Sequence, residues 1–165
     1  MDSLLSFWGM SIIYLKLLLL VAAVALFVIQ AVGLYGMAEK AGVTPRWVAF
    51  IPVINAYIWG KIIKEIRVSD FVLPRPEIVL PLAPFIYALL YQVPFLDPLF
   101  LLCLLALYAT GYYFLYLLYR PDSAAVYTII SIVFPFVVPF FFYSLRNEAP
   151  LTAEENTASD AGTDA

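Results

Sequence analysis

Apolar positions in this chain fall into long unbroken runs. Residues 17–38 give 22 positions without a charge, enough for one helix to cross a hydrocarbon layer about 30 Å thick. Lys16 precedes them, placed to snorkel at the outer boundary with Trp8 nearby as an interfacial ring. Three more runs follow at residues 78–96, 99–119 and 124–145, each close to the ~20 residues that a crossing helix needs. The links between them, Asp97-Pro98 and Arg120-Pro121-Asp122-Ser123, are short, so these helices should be antiparallel neighbours. Pro81, Pro84 and Pro94 in the second run, and Pro135 and Pro139 in the fourth, predict bent helices. Each proline withholds a backbone donor, and neighbours must satisfy the carbonyl it releases.

Between the first two runs lies a stretch of different character, residues 45–67. Gly42 suits a helix C′ position, and Thr44 followed by Pro45 suits an N-cap and first helical residue. The apolar run at residues 47–60 has 14 positions, a length that suggests an interfacial or re-entrant segment. Pro52 should kink or restart it. From residue 58 to 67 the period is helical: Ile58, Ile62, Ile63 and Ile66 share one arc, with Lys61, Lys64, Glu65 and Arg67 opposite. This predicts a helix in the membrane plane, its lysines toward headgroups and attracting anionic lipid. Asn55 falls on the apolar side. Either it caps or pins the turn, bonding a neighbouring span or backbone freed by Pro52, or it contacts a ligand.

Composition agrees with lipid as the main solvent. Hydrophobic residues make up 64% and charged residues only 13%, against about 25% charged in soluble domains. The expected fold is an all-α membrane protein with four transmembrane helices and an interfacial or re-entrant helical segment between the first two. Residues 1–145 form the membrane domain. Residues 146–165 form an acidic tail carrying −4 of the net −3, which leaves the body at +1. With one leucine and no aromatic residue, the tail is expected to be disordered. Asp2 before the first run and Lys16 interrupting it argue against a cleavable signal, with cleavage after the Ala-rich residues 21–25 as the alternative.

Orientation follows from Lys and Arg. Lys40, Arg46, Lys61, Lys64, Arg67, Arg75 and Arg120 fall on one side of a four-crossing chain, and Lys16 and Arg146 on the other. The first loop is therefore expected in the cytoplasm and both termini outside. A fifth crossing at residues 47–60 would divide the basic residues, and is the main alternative.

Candidate chemistry is sparse. There is no histidine, and Cys103 is the one cysteine, which removes internal disulfides and the usual zinc ligand sets. No nucleotide-loop, nucleophile-elbow or zinc-helix motif is present, and the run interiors hold no Asp or Glu. Neither an enzyme, nor a cofactor, nor a nucleic-acid partner is expected. A polar face does stand out: Tyr108, Tyr112, Tyr116 and Tyr119 lie within about 80° on a helical wheel. Ser131 shares a face of the fourth run with Tyr127, Pro135 and Pro139. Either the two faces pack, hydroxyls meeting Ser131 and proline-released carbonyls, or they line a pathway or pocket.

Residues 39–62, EKAGVTPRWVAFIPVINAYIWGKI, carry a spaced set: Lys40, Ala41, Gly42, Trp47, Ile51, Pro52, Asn55, Tyr57, Lys61 and Ile62. This set resembles a pattern in an uncharacterised family of small bacterial integral membrane proteins. The resemblance implies a bacterial inner or plasma membrane location and supplies no activity. The expected role is a non-enzymatic accessory or assembly subunit, in contact with membrane lipids and with another membrane protein or further copies of itself. The alternative is a small transporter or channel component using the tyrosine face.

Overall fold

The first helix is longer than its uncharged core. In the computed structural model, which describes residues 2–68, 71–91 and 97–151, α1 runs Asp2–Lys40. At 1.5 Å per residue its 39 residues extend about 58 Å. A lone Lys16 among leucines, a residue that itself favours helix, does not end it. The end comes at Gly42, whose φ of 67° a side chain would resist. Val43 N–H bonds Ala38 O at 2.8 Å and Gly42 N–H bonds Glu39 O at 3.3 Å, the bond pair of a Schellman cap.

The next segment departs from the sequence expectation in two places. Thr44 does not cap a helix. Pro45 is extended (φ −81°, ψ 129°) and a 3-10 turn spans Arg46–Phe50. The chain restarts after Pro52 through a tight γ-turn, with Val53 at φ 68° and Ile54 N–H bonded to Pro52 O at 2.8 Å. Helix α2 then covers Ala56–Ile63. It does not continue to residue 67: Lys64 turns to φ 67°, and Glu65–Val68 and Phe71–Pro74 form an antiparallel pair, β1 and β2, with Ile66 opposite Leu73. Ile66, Val68, Phe71 and Val72 are β-branched or aromatic and flank a two-residue link, which favours a hairpin over another helical turn. Asp70, within that link, lies outside the described residues. Ile58, Ile62, Ile63 and Ile66 are nevertheless all buried. Rather than lying on a surface, α2 wedges against α1, the 3-10 turn, α3 and α4.

Helices α3 (Pro76–Leu90) and α4 (Asp97–Leu117) are antiparallel. Their upper ends meet where the Tyr87 hydroxyl donates to Asp97 Oδ1 at 2.8 Å. The last part of the expected second span, residues 92–96 with Pro94, lies outside the described residues. The expected fourth span is broken. Pro135 cannot continue the helix, so α5 (Ala124–Val133) and α6 (Val138–Leu145) are joined by a 3-10 turn and bent by 117°. α5 climbs along α4, and α6 returns against α1. Leu151 N–H then bonds Leu118 O at 2.7 Å, and Arg120 Nε donates to Glu148 Oε2 at 3.3 Å. Both ends of the α5–α6 pair therefore sit together, and Arg146 stands at the same end as Arg120 instead of opposite it.

Among the described residues two helices, Met10–Lys40 within α1 and α4, are long and apolar enough to cross a membrane, and the bent pair would make a third. α3 is apolar but shorter, at 15 residues. The core concentrates at one end, around Leu34, Met37, Ile58, Leu80, Leu115 and Phe142. α1 reaches it from Ala31 onward, whereas Met10 to Val21 is exposed on every side.

Candidate functional site

Lys61 is the residue through which the spaced motif closes. Its Nζ donates to Thr44 O at 2.8 Å and to the Tyr57 hydroxyl at 3.0 Å, and sits 5.2 Å from the Tyr57 ring centroid. The lysine that the helical wheel placed toward lipid headgroups ties α2 to the loop after α1. Tyr57 and Lys61 are one helical turn apart and so share a face. Gly42 turns the chain back toward them, while Ala41 is half-buried and Ile62 fully buried beside it.

Other motif residues stay outside this clasp. Lys40 is exposed in the last turn of α1, where its charge complements the negative end of the helix dipole. Trp47 is 62% exposed on the 3-10 turn and Pro52 is exposed in the turn that follows. Ile51 closes the 3-10 turn. Asn55 is buried to 8% exposure, yet its side chain makes no capping bond and no side-chain hydrogen bond to it is seen among the described residues. It sits at the N-cap position in the αR conformation, φ −55°, where the geometry for reaching a helix N–H is poor. Neither the bond expected from a neighbouring span nor one to backbone freed by Pro52 is seen among the described residues.

Much of the tyrosine face packs against protein. Tyr108 donates to Leu80 O at 3.1 Å, the carbonyl that Pro84, four residues on, leaves without its helical donor. The Tyr116 hydroxyl lies 2.9 Å from Ser131 Oγ, which itself donates to Tyr127 O at 2.7 Å. Tyr112 stacks on Trp59, centroids 5.2 Å apart and 10° between planes, and on Tyr116 at 6.2 Å. Tyr119 is buried with its hydroxyl unpartnered among the described residues. A groove of about 320 Å³ runs beside Tyr108, Tyr112, Ser131 and Pro135, but two of the four hydroxyls needed for a polar pathway are already bonded within the fold.

Trp59 escaped the sequence reading. It is 2% exposed and joins α2 to the tyrosine ladder. Its seat is Gly111, where a Cβ would lie 2.5 Å from the indole ring. The adjacent Gly60 brings α2 against α3, with a Cβ there 2.6 Å from Glu77 Cα. A Trp-Gly pair facing a helix glycine was the available signal, hidden by its place inside an otherwise uniform apolar run.

All described cations except Lys16 belong to elements that converge on one end: the α1 cap, the 3-10 turn, α2, β1, the start of α3, the α4–α5 link and the segment after α6. Two are neutralised there. Arg46 Nη1 pairs with Glu39 at 3.1 Å, and Arg120 pairs with Glu148, whose hydrogen bond raises the guanidinium's already high pKa. No group of three metal-ligating side chains occurs among the described residues. No protein family, curated protein or solved structure matches this chain.

Proposed function

We propose that the protein is a multi-pass integral membrane protein of the bacterial inner or plasma membrane, acting as a non-enzymatic accessory or assembly subunit. In this reading α1, α3 and α4 cross the bilayer, while α5 and α6 enter and return. Three crossings replace four. The termini then lie on opposite sides, with the basic end and residues 146–151 in the cytoplasm. The excess of Lys and Arg at that end supports this orientation, since Arg146 now joins the majority and only Lys16 opposes it.

The observation that carries the subunit role is the turn between α5 and α6. Phe134, Pro135 and Phe136 form its apex, and the two phenylalanines are 48% and 57% exposed. Ten residues of α5 climb about 15 Å, half the thickness of the hydrocarbon layer. Broken helix at that depth is tolerated where protein covers it or water reaches it, and not against lipid tails. A protein partner at the apex meets this demand. The exposed N-terminal half of α1 offers a second helix for the same partner to flank.

A photo-crosslinking amino acid at position 136, used in native membranes and followed by mild-detergent purification and mass spectrometry, tests the role. A stoichiometric adduct to one membrane protein, or to a second copy of this chain, is the expected result. Adducts to lipid alone, with the protein purified as a lone monomer, would sink it.

A further inference from the structure

The basic end carries a cleft of about 640 Å³ that none of the contacts above fills. It lies between the α1 cap at Gly42 and Thr44, the last turn of α2 with Lys61 and Lys64, and the segment after α6, where Leu151 forms one wall. Its size is that of a small-molecule site. Among the described residues that line it, none is an acid. The carboxylates of Glu39 and Glu148 are held by Arg46 and Arg120, and among the described residues neither Lys61 nor Lys64 has a carboxylate partner. Lys61 uses its ammonium on two neutral oxygens, Thr44 O and the Tyr57 hydroxyl, which fix its position and carry no compensating charge. One of its three donors remains free.

Lys64 adds a second, independent sign. Its backbone stands at φ 67°, ψ −54°, a conformation that glycine adopts freely and that strains a residue with a Cβ. The side chain is exposed and contributes no hydrogen bond or ion pair to the fold among the described residues. A strained lysine at the rim of a cleft whose described lining carries no acid suits ligand binding better than folding. The inner wall is apolar, with Val43, Ile62 and Leu118, so the site is amphipathic: cations at the rim and hydrocarbon within.

We propose that this cleft binds a phosphate-bearing anionic group, with Lys61 and Lys64 as the cations that hold it. The group is either the headgroup of an anionic lipid or a free phosphate ester. The lipid source rests on the membrane placement proposed above, whereas the anion site itself does not.

The full-length protein in detergent is titrated with glycerol phosphate and, separately, reconstituted in phosphatidylcholine nanodiscs with and without phosphatidylglycerol, retained lipid being read by native mass spectrometry. Binding in at least one format is expected, weakened about fivefold by Lys64→Gln, given the ~1 kcal/mol that one lysine contributes to an anionic headgroup. Lys64→Gly should weaken it equally while relieving backbone strain, so that loss of binding accompanies equal or greater thermal stability. Lys40→Gln, outside the cleft, should leave it unchanged. Retained phosphatidylglycerol identifies the lipid source. Glycerol phosphate bound in detergent without lipid preference identifies the soluble source, and would leave the anion site standing while removing the headgroup-level placement of this end. No binding in either format, or binding indifferent to both Lys64 substitutions, would overturn the proposal.

Discussion

Val53 shows how local backbone geometry decides a residue's cost. It sits at φ 68° at the centre of the turn after Pro52, 41% exposed and without deep packing. A β-branched side chain is a poor occupant of that region, and glycine occupies it freely. Val53→Gly is therefore expected to stabilise the protein by about 1 kcal/mol, a gain reduced by glycine's greater unfolded-state entropy. Thermal unfolding in detergent reads this directly, and a fall in midpoint would mean that the turn is not strained as described. Tyr116 presents the opposite case. Its hydroxyl meets Ser131 inside the bundle, so Tyr116→Phe should cost between the average of about 0.6 and the maximum of about 1.7 kcal/mol for polar contacts between membrane helices. Ser131 keeps its own acceptor at Tyr127 O, which argues for the lower part of that range.

Elements here meet through glycines, and the consequences are sharper than for a Leu-rich interface. Gly33 of α1 faces the backbone of α6, and a Cβ would lie 2.6 Å from Phe142 C and Tyr143 N. Backbone cannot move aside as a flexible side chain can. Gly33→Ala should part α1 from α6 and destabilise by about 1–3 kcal/mol. Gly111→Ala should cost a similar amount by lifting Trp59 off Tyr112. Each is checked by unfolding, and for Gly111→Ala also by a change in Trp fluorescence. Both contacts were hard to read from the chain, because a glycine in an apolar run looks the same whether it faces lipid or another helix. What was legible was anything with a local cause. Gly42 ends α1 as its position demands, and Pro52 restarts the chain. The four isoleucines from Ile58 to Ile66 are all buried, against protein rather than on the membrane surface where their arc was expected to lie. Ile66 reaches its place on strand β1, however, after Lys64 has turned the chain out of the helix. The period alone could not separate helix from hairpin there; the β-branched residues around Ser69-Asp70 were the cue that could. The tyrosine stripe was legible as a face, and its partner Trp59 was not, since that contact joins residues fifty positions apart.

At the scale of the whole molecule the decisive feature is the return of α6 to the end from which α5 departs. Apolar length gave no hint of it. Residues 124–145 are long enough to cross, and Pro135 announces a bend without giving its angle. The ion pair of Arg120 with Glu148 and the Leu151–Leu118 backbone bond set that angle's consequence: the start and finish of the pair share one end. An exposed ion pair contributes only ~0–1 kcal/mol, so it records the arrangement more than it enforces it, and α6 packing on α1 through Gly33 and Gly36 carries the larger share. Four crossings would put residue 147 on the side opposite residue 64, whereas three crossings and a re-entrant pair put them on the same side. Single cysteines at Asp2, Lys64 and Asn147, each in a Cys103→Ser background, separate the two. With a membrane-impermeant maleimide on intact cells and on inverted vesicles, Lys64→Cys and Asn147→Cys should label together from the inner face and Asp2→Cys from the outer. Labelling of Asn147→Cys alongside Asp2→Cys would restore the fourth crossing. It would also remove the exposed apex on which the partner argument stands.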